Sequence, residues 1–283
     1  MVKEKRYLKT LMMGLTICCA LLISGIKVNA QTVNETEPND TKETAQLIQA
    51  NYETADQAVS GVRPGQYVVK GYASTTNEDW FKVYLTAGRQ YVTCSDESFN
   101  FDVYDSNDTL IRSQLYTRIG FNVRAYAFQA LTTGYYYVRV RGLTSSPSSY
   151  LLLVGGPNYK VQNCTIIMQS ITMSGGIDDV ENFNLSQQAN LPDDAVVYTM
   201  LINNVRSTDV KSISIRNIAT GNTLIFSIYP WYKDGIVSQN LLVKSGWQVI
   251  FRYKKDITFR PSLTLYYAYP LISEEAENVT ITL

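Results

Sequence analysis

From Gln66 onward the chain is a succession of short runs in which apolar and polar residues alternate, each run closed by glycine, asparagine, serine or proline. A period of two puts every second side chain on the same face of a strand, so a chain written this way folds into sheets that each bury one face. In the first half such runs fall at 66–71, 79–85, 90–94, 101–104, 121–127, 135–141 and 149–154. In the second half they fall at 161–172, 195–205, 211–218, 223–229, 236–243, 247–253 and 263–269. Short strands at this spacing predict an all-β protein built of sandwiches. The stretch with helical character is 41–49, where Ala45 and Ile48 would share a face and Asp40 with Glu43 resembles a capping box.

The strand series is broken at Gly155-Gly156-Pro157-Asn158, a run that cannot continue a central strand. The chain is therefore divided into a first β-sandwich at 31–155 and a second at 156–283. Ahead of them, residues 1–30 have the three parts of a secretion signal. Lys3, Lys5, Arg6 and Lys9 form a basic start, an apolar run follows, and Val28-Asn29-Ala30 precedes Gln31. The apolar run is shorter than the ~20 residues a spanning helix needs, so a cleaved leader and a secreted product are expected. The mature chain would hold 20 basic against 24 acidic residues, a net charge of −4. That balance disfavours nucleic acid and anionic membrane as partners. No later stretch is apolar enough for membrane insertion, and 278–283 reads as a final strand.

The chain has no histidine, which excludes Ser-His-Asp and Cys-His catalysis and the usual histidine-bearing zinc sites. Any chemistry would rest on carboxylates, tyrosine or lysine. Asp178-Asp179 with Glu181, and Asp193-Asp194, carry the pairing that a carboxylate-based hydrolase in 156–283 would use, but both read as solvated loops between strands. Cys94 and Cys164 remain after loss of the leader, and each alternates with apolar neighbours as a small core residue does. A bridge between them stays open at this level and would contribute about 4 kcal/mol in the chain-entropy account.

The densest chemistry lies just behind the leader, in Glu35-Thr-Glu37-Pro38-Asn39-Asp40-Thr41. In an extended segment Glu35, Glu37 and Asn39 share one side, and Asp79 is the acid that directly opens an apolar strand. Calcium takes six to eight oxygens, several of them carboxylate, and these acids would repel one another without a cation. The other reading is a solvated acidic leader in which Asp40 caps a helix.

Several features in order resemble the bacterial pre-peptidase C-terminal domain family, which includes the collagen-binding modules of clostridial collagenases. They are the acidic motif with Ala45 after it, Gly71, Asp79-Trp80-Phe81 with Val83, Leu85, Ala87 and Gly88, then Phe101-Asp-Val-Tyr104, Gly134 to Val140 and the closing Tyr150 to Val154. The resemblance covers 34–155; residues 156–283 resemble no family. It implies a jelly-roll-like sandwich for the first unit. It also implies Ca2+ held by Glu35, Glu37, Asn39, Asp40 and Asp79, with the Trp80 backbone carbonyl close by. Calcium-binding relatives carry a further acid three residues ahead of the Asp79 position. Here that position is Thr76, so either a site is weakened or neighbouring Asn77 or Glu78 substitutes.

Tyrosine is abundant, at 21 residues. Along 135–141, Tyr136, Val138 and Val140 would point inward and Tyr135, Tyr137, Arg139 and Arg141 outward. An outward tyrosine and arginine face suits protein or glycan recognition, and equally suits cover by a second domain. Tyr229-Pro230-Trp231-Tyr232 sets rings on a turn, as a sugar-stacking platform or as a plug for one end of a sandwich. The expected function is a secreted, non-catalytic, calcium-stabilised protein that binds an extracellular protein or glycan. The alternatives are a structural or assembly subunit of a surface complex and the carboxylate-based hydrolase.

Overall fold

The structure is a computed structural model that describes residues 30–95, 99–116 and 124–272. Nearly all of the leader, the strand expected at 278–283 and the start of the run at 121–127 lie outside the described residues. What is described is almost entirely β.

The first unit has two five-stranded sheets. One runs β1 (Gln31–Asn34), β3 (Tyr67–Ala73), β10 (Ser148–Gly155), β5 (Gly88–Ser95), β8 (Tyr126–Ala130). The other runs β2 (Gln46–Ile48), β4 (Glu78–Leu85), β9 (Gly134–Gly142), β6 (Phe99–Tyr104), β7 (Leu110–Tyr116). Successive strands β3 to β6 alternate between the sheets, which gives the jelly-roll-like sandwich. Pairing is antiparallel except where β1 joins β3 and β2 joins β4. The inward set of each strand is the apolar set: Phe81, Val83 and Leu85 from β4, Phe99, Phe101 and Val103 from β6, and Tyr136, Val138 and Val140 from β9 close one core. Each such side chain contributes about 1.5–3 kcal/mol when fully buried.

The second unit has its own core. The sheet β11 (Tyr159–Ile167), β20 (Ser262–Pro270), β14 (Val196–Asn203), β17 (Tyr232–Lys233) shares it with β13 (Asp179–Asn184), β18 (Gly246–Tyr253), β15 (Val210–Asn217), β16 (Thr223–Phe226). A pair made by β12 (Ile171–Met173) and β19 (Ile257–Phe259) closes one end. Trp231, Trp247, Met200, Phe251 and Leu265 fill the space between.

A single helix among the described residues, α1 (Ala55–Ser60), starts at Thr54, whose side chain accepts from the Gln57 N–H, and stops at Gly61 in the left-handed region. It follows β2 in sequence but lies beside β11, β14 and β20 of the second unit. Asn51 ties the seam: its N–H donates to the Val154 carbonyl at 2.7 Å, its carbonyl accepts from Gly156 at 2.6 Å, and its Nδ2 donates to the Gly156 carbonyl at 2.7 Å. Gly155 has φ +121°, and a Cβ there would fall 2.5 Å from the Asn51 carbonyl. The glycine that ends the first sandwich is thus demanded both by backbone conformation and by contact.

Two sequence readings are corrected. Residues 41–49 form a turn and then β2, because the Thr41 and Thr44 hydroxyls bond to each other and to the local backbone while Gln46–Ile48 pairs in parallel with Phe81–Val83. Strand pairing that buries Ile48 overrides a weak helical pattern. Residues 236–243 hold a 3₁₀ turn at Val237–Gln239 in place of a strand. Cys94, buried in the first unit, and Cys164, half-buried in the second, form no disulfide, in keeping with their reading as small core residues of separate units.

Gly155→Ala is expected to lower unfolding free energy by about 1–3 kcal/mol, since strain and a backbone clash act together. Gly175→Ala, with φ +65° and nothing within 4 Å of the added carbon, should cost only about 1 kcal/mol. Chemical denaturation of the two variants side by side checks the difference.

Candidate functional site

β1 runs beside β3 and hands the chain on to Glu35, whose N–H continues the ladder to the Lys70 carbonyl at 2.8 Å. Glu35 Oε1 accepts from the Tyr72 N–H at 2.9 Å, and its Oε2 accepts from the Tyr150 hydroxyl at 3.3 Å. Gly71 makes this possible: a Cβ there would lie 2.3 Å from Glu35 Oε2 and 2.4 Å from Tyr150. The same hydroxyl lies 2.6 Å from Asp79 Oδ2. Burial and the neighbouring Asp79 charge push the Tyr150 phenol far up, so it stays protonated and donates.

Asp79 opens β4 on its inward side and is fully buried. Its other oxygen, Oδ1, has no hydrogen-bond partner. Asn39 is also fully buried, and neither its Oδ1 nor its Nδ2 is partnered. Its backbone is nevertheless fixed, the N–H donating to Glu37 Oε2 at 3.0 Å and the carbonyl accepting from Trp80 N–H at 2.8 Å. One carboxylate oxygen from each of Glu35, Glu37 and Asp79 falls within 4.8 Å of the others. Burial pushes the Asp79 carboxyl up to about 8, with the charges of Glu35 and Glu37 adding to it, and burial likewise raises Glu35. Such a knot of acids and unsatisfied oxygens is what a divalent cation relieves.

Of the residues expected at this site, Glu35, Glu37 and Asp79 are brought together, and Asn39 is held next to them by its backbone bonds to Glu37 and Trp80. Asp40 is exposed and does not join the set. Trp80 contributes its N–H to the Asn39 carbonyl, while its indole stands on the opposite face of the sheet. Neither candidate substitute for the missing acid takes part. Glu78, one step out of phase with Asp79, turns outward to Arg139 and the Trp80 indole N–H, and the Asn77 amide donates to the Tyr72 carbonyl. Tyr150 is the residue that sequence reading missed at the site; its place as the first inward ring of β10 was the available signal.

The outer face of the same sheet carries Tyr135, Tyr137, Arg139 and Arg141. Arg139 is committed: its Nε and Nη2 donate to Asp102 Oδ2 at 3.1 and 2.7 Å, and it covers the stacked rings of Trp80 and Tyr104. Arg141 reaches the same oxygen at 3.1 Å and lines a small polar cleft with Ser74, Thr76 and Asn100. Asp102, 2% exposed, is buried by its own counter-charges. What is left open is an aromatic row in which Tyr84 meets Tyr135 edge-on and Lys82 lies over Tyr135 and Tyr137, with Lys42 also over Tyr137. Tyr84 is 54% and Tyr135 43% exposed. Lys82 and Tyr84 were readable from the period of two in β4.

In the second unit Asp179 and Glu181 sit on edge strand β13, opposite Phe251 and Val249, and not in a loop as the sequence suggested. Asp193 pairs with Lys244. Trp231 is buried with its indole N–H on the Val205 carbonyl, so it plugs the sandwich end, while Tyr229 remains 59% exposed.

No family model matches the chain, and no curated protein matches it. Among solved structures it is similar to a protein of Eubacterium rectale classed as secreted, at 11% identity and TM-score 0.49 over 86% of this chain and 88% of that one. It is also similar to the pre-peptidase C-terminal domain of a Bacillus anthracis collagenase, at 15% identity and TM-score 0.29 over 42% of this chain and 99% of that one. A third likeness is to the PBSX exported protein XepA, at 9% identity and TM-score 0.24 over 71% and 84%. Scores this low carry nothing beyond the likeness. Among the described residues no helix is long and apolar enough to cross a membrane.

Tyr150→Phe removes the donor shared by Glu35 and Asp79. In chelator it is expected to lower stability by about 1–3 kcal/mol, the cost of a buried carboxylate oxygen left unsatisfied. An unchanged denaturation midpoint would show that the hydroxyl is not a support of the site.

Proposed function

We propose that the chain is a secreted, non-catalytic binding protein whose first sandwich is stabilised by calcium and recognises an extracellular protein or glycan through its outer tyrosine face. The observation that carries the calcium reading is the fully buried Asn39 and Asp79, each with an unpartnered side-chain oxygen, beside Glu35 and Glu37. These four residues would hold the ion; bound there, it supplies the positive charge that the acids lack. Three of its ligands lie in the segment before β2 and one opens β4, so the ion stitches the leading segment to the sandwich.

The face reading rests on the ladder of rings and ammonium groups. Tyr84, Tyr135 and Tyr137 offer large, stiff contacts with polar tips, and Lys82 holds two of the rings in place from between them. Because Arg139 and Arg141 are held by Asp102, their part is to fix the face; contact with a partner falls to the tyrosines.

Excess calcium should raise the melting temperature by several degrees over chelator, in proportion to the free-energy gain of linkage, about 2.7 kcal/mol at a hundredfold excess over Kd. Asp79→Asn and Asn39→Ala should abolish the shift; no shift in the parent protein contradicts the calcium reading. On a panel of matrix proteins and glycans in calcium, a Tyr84→Ala, Tyr135→Ala variant should lose at least tenfold in affinity for whatever the parent binds. Undiminished binding would move the contact off this face.

A further inference from the structure

The second unit carries a cleft of about 440 Å³ at the end of its sandwich, between the loop after β14, the loop before β17 and strand β19. Its apolar surfaces are Val205, Phe259 and Tyr229, and its polar lining includes Asn204, Arg206 and Asp209. Tyr229 is 59% exposed yet well supported: its ring stands edge-on, at 6.3 Å, to Trp231, which is itself buried and pinned to the Val205 carbonyl at 2.9 Å. An exposed ring braced by a fixed one offers its open face with little ordering cost, the property that makes aromatic platforms good receptors for the C–H faces of sugars.

The charge of the cleft runs against that of the mature chain. Asp209 is buried and fully engaged, its Oδ2 accepting from the Arg206 N–H at 3.2 Å and its Oδ1 from Thr208 at 2.9 Å and Lys255 at 3.2 Å. Lys254 donates to the Ser207 carbonyl at 2.8 Å on the same loop. Asp256, which accepts from the Tyr253 hydroxyl, is the second acid of this end; against the two acids stand Arg206, Lys254 and Lys255, an excess of one positive charge, and the Arg206 guanidinium meets no acid among the described residues. A free planar fork beside a stacking ring is suited to a carboxylate carried on a pyranose.

We infer that this cleft binds a uronic-acid residue of an acidic glycan, the ring stacked on Tyr229 and the carboxylate held by Arg206. The site is independent of the calcium site and of the tyrosine face of the first unit. The test is titration calorimetry on the chain 31–283 with oligogalacturonate, oligoalginate and hyaluronan oligosaccharides, and with methyl-esterified oligogalacturonate as a neutral partner of the same ring. At least one acidic oligomer should bind, at least tenfold tighter than the ester. Tyr229→Ala should weaken acidic binding at least tenfold while Tyr229→Phe retains it, and Arg206→Gln should erase the preference for acid over ester. A Tyr84→Ala, Tyr135→Ala variant should bind these oligomers as the parent does, which keeps this outcome separate from that of the first unit. Binding unaffected by Tyr229→Ala and Arg206→Gln, or heat with none of the three acidic oligomers, overturns the inference.

Discussion

Three carboxylates and one carboxamide are packed where the leading segment crosses the mouth of the first sandwich, and this crowding is the constraint on which the rest of that unit turns. Asp79 sits on the buried side of β4 with an oxygen that nothing satisfies, a position that costs free energy in a protein without a cation. The protein surrounds it with what it has. The Tyr150 hydroxyl reaches Asp79 and Glu35 together, and Gly71 is bare so that both fit. The carboxyl nonetheless stays well above its ordinary range, so the Tyr150 hydroxyl does not offset the burial and the charges of Glu35 and Glu37. The leading segment is tied to the sandwich by short stretches: β1 along β3, Glu35 on Lys70 and Tyr72, Gln46 bonded to Thr36 and the Asn34 carbonyl, the Asn39 to Trp80 bond, and Lys42 on Asp108. A cation at the acids would be its strongest anchor.

The same strand connects that site to the outer surface. Asp79 faces in and Trp80 faces out, one residue apart, so the bond that fixes Asn39 also fixes the backbone under the Trp80, Tyr104 and Arg139 stack. Lys42, a few residues along the leading segment, lies over Tyr137 and reaches the Asp105 carbonyl and the Asp108 carboxylate. The position of the leading segment and the composition of the tyrosine face are therefore one structural variable. Across the molecule, Asn51 and α1 join the two sandwiches, and the Ala125 N–H donates to the Leu271 carbonyl at 3.0 Å, so the chain returns from the second unit to the first.

Much of this was legible in the sequence. The alternation in β4, β9 and β18 marked their inward faces residue by residue, because a sheet with one buried face writes its burial directly into the chain. The acid motif was legible as a cluster, because Glu35, Glu37 and Asn39 fall on one side of an extended segment. What the sequence left hidden depended on distant partners. β2 is three residues long and exists only because β4 offers its edge. β13 shows no clean pattern, since an edge strand carrying Asp179 and Glu181 inward breaks the apolar rhythm. The commitment of Arg139 and Arg141 to Asp102 needed the β6 and β9 register, and the part of Tyr150 needed β3 and β10 in place.

The central claim is that the buried acids hold a divalent cation, and calorimetric titration of the chain 31–283 with calcium, alongside an Asp79→Ala variant, tests it most directly. One equivalent of calcium bound by the parent and none by the variant is the result that this account predicts. An absence of heat in the parent, or identical isotherms for both, would contradict it and leave Asp79 as a protonated acid held by Tyr150 alone.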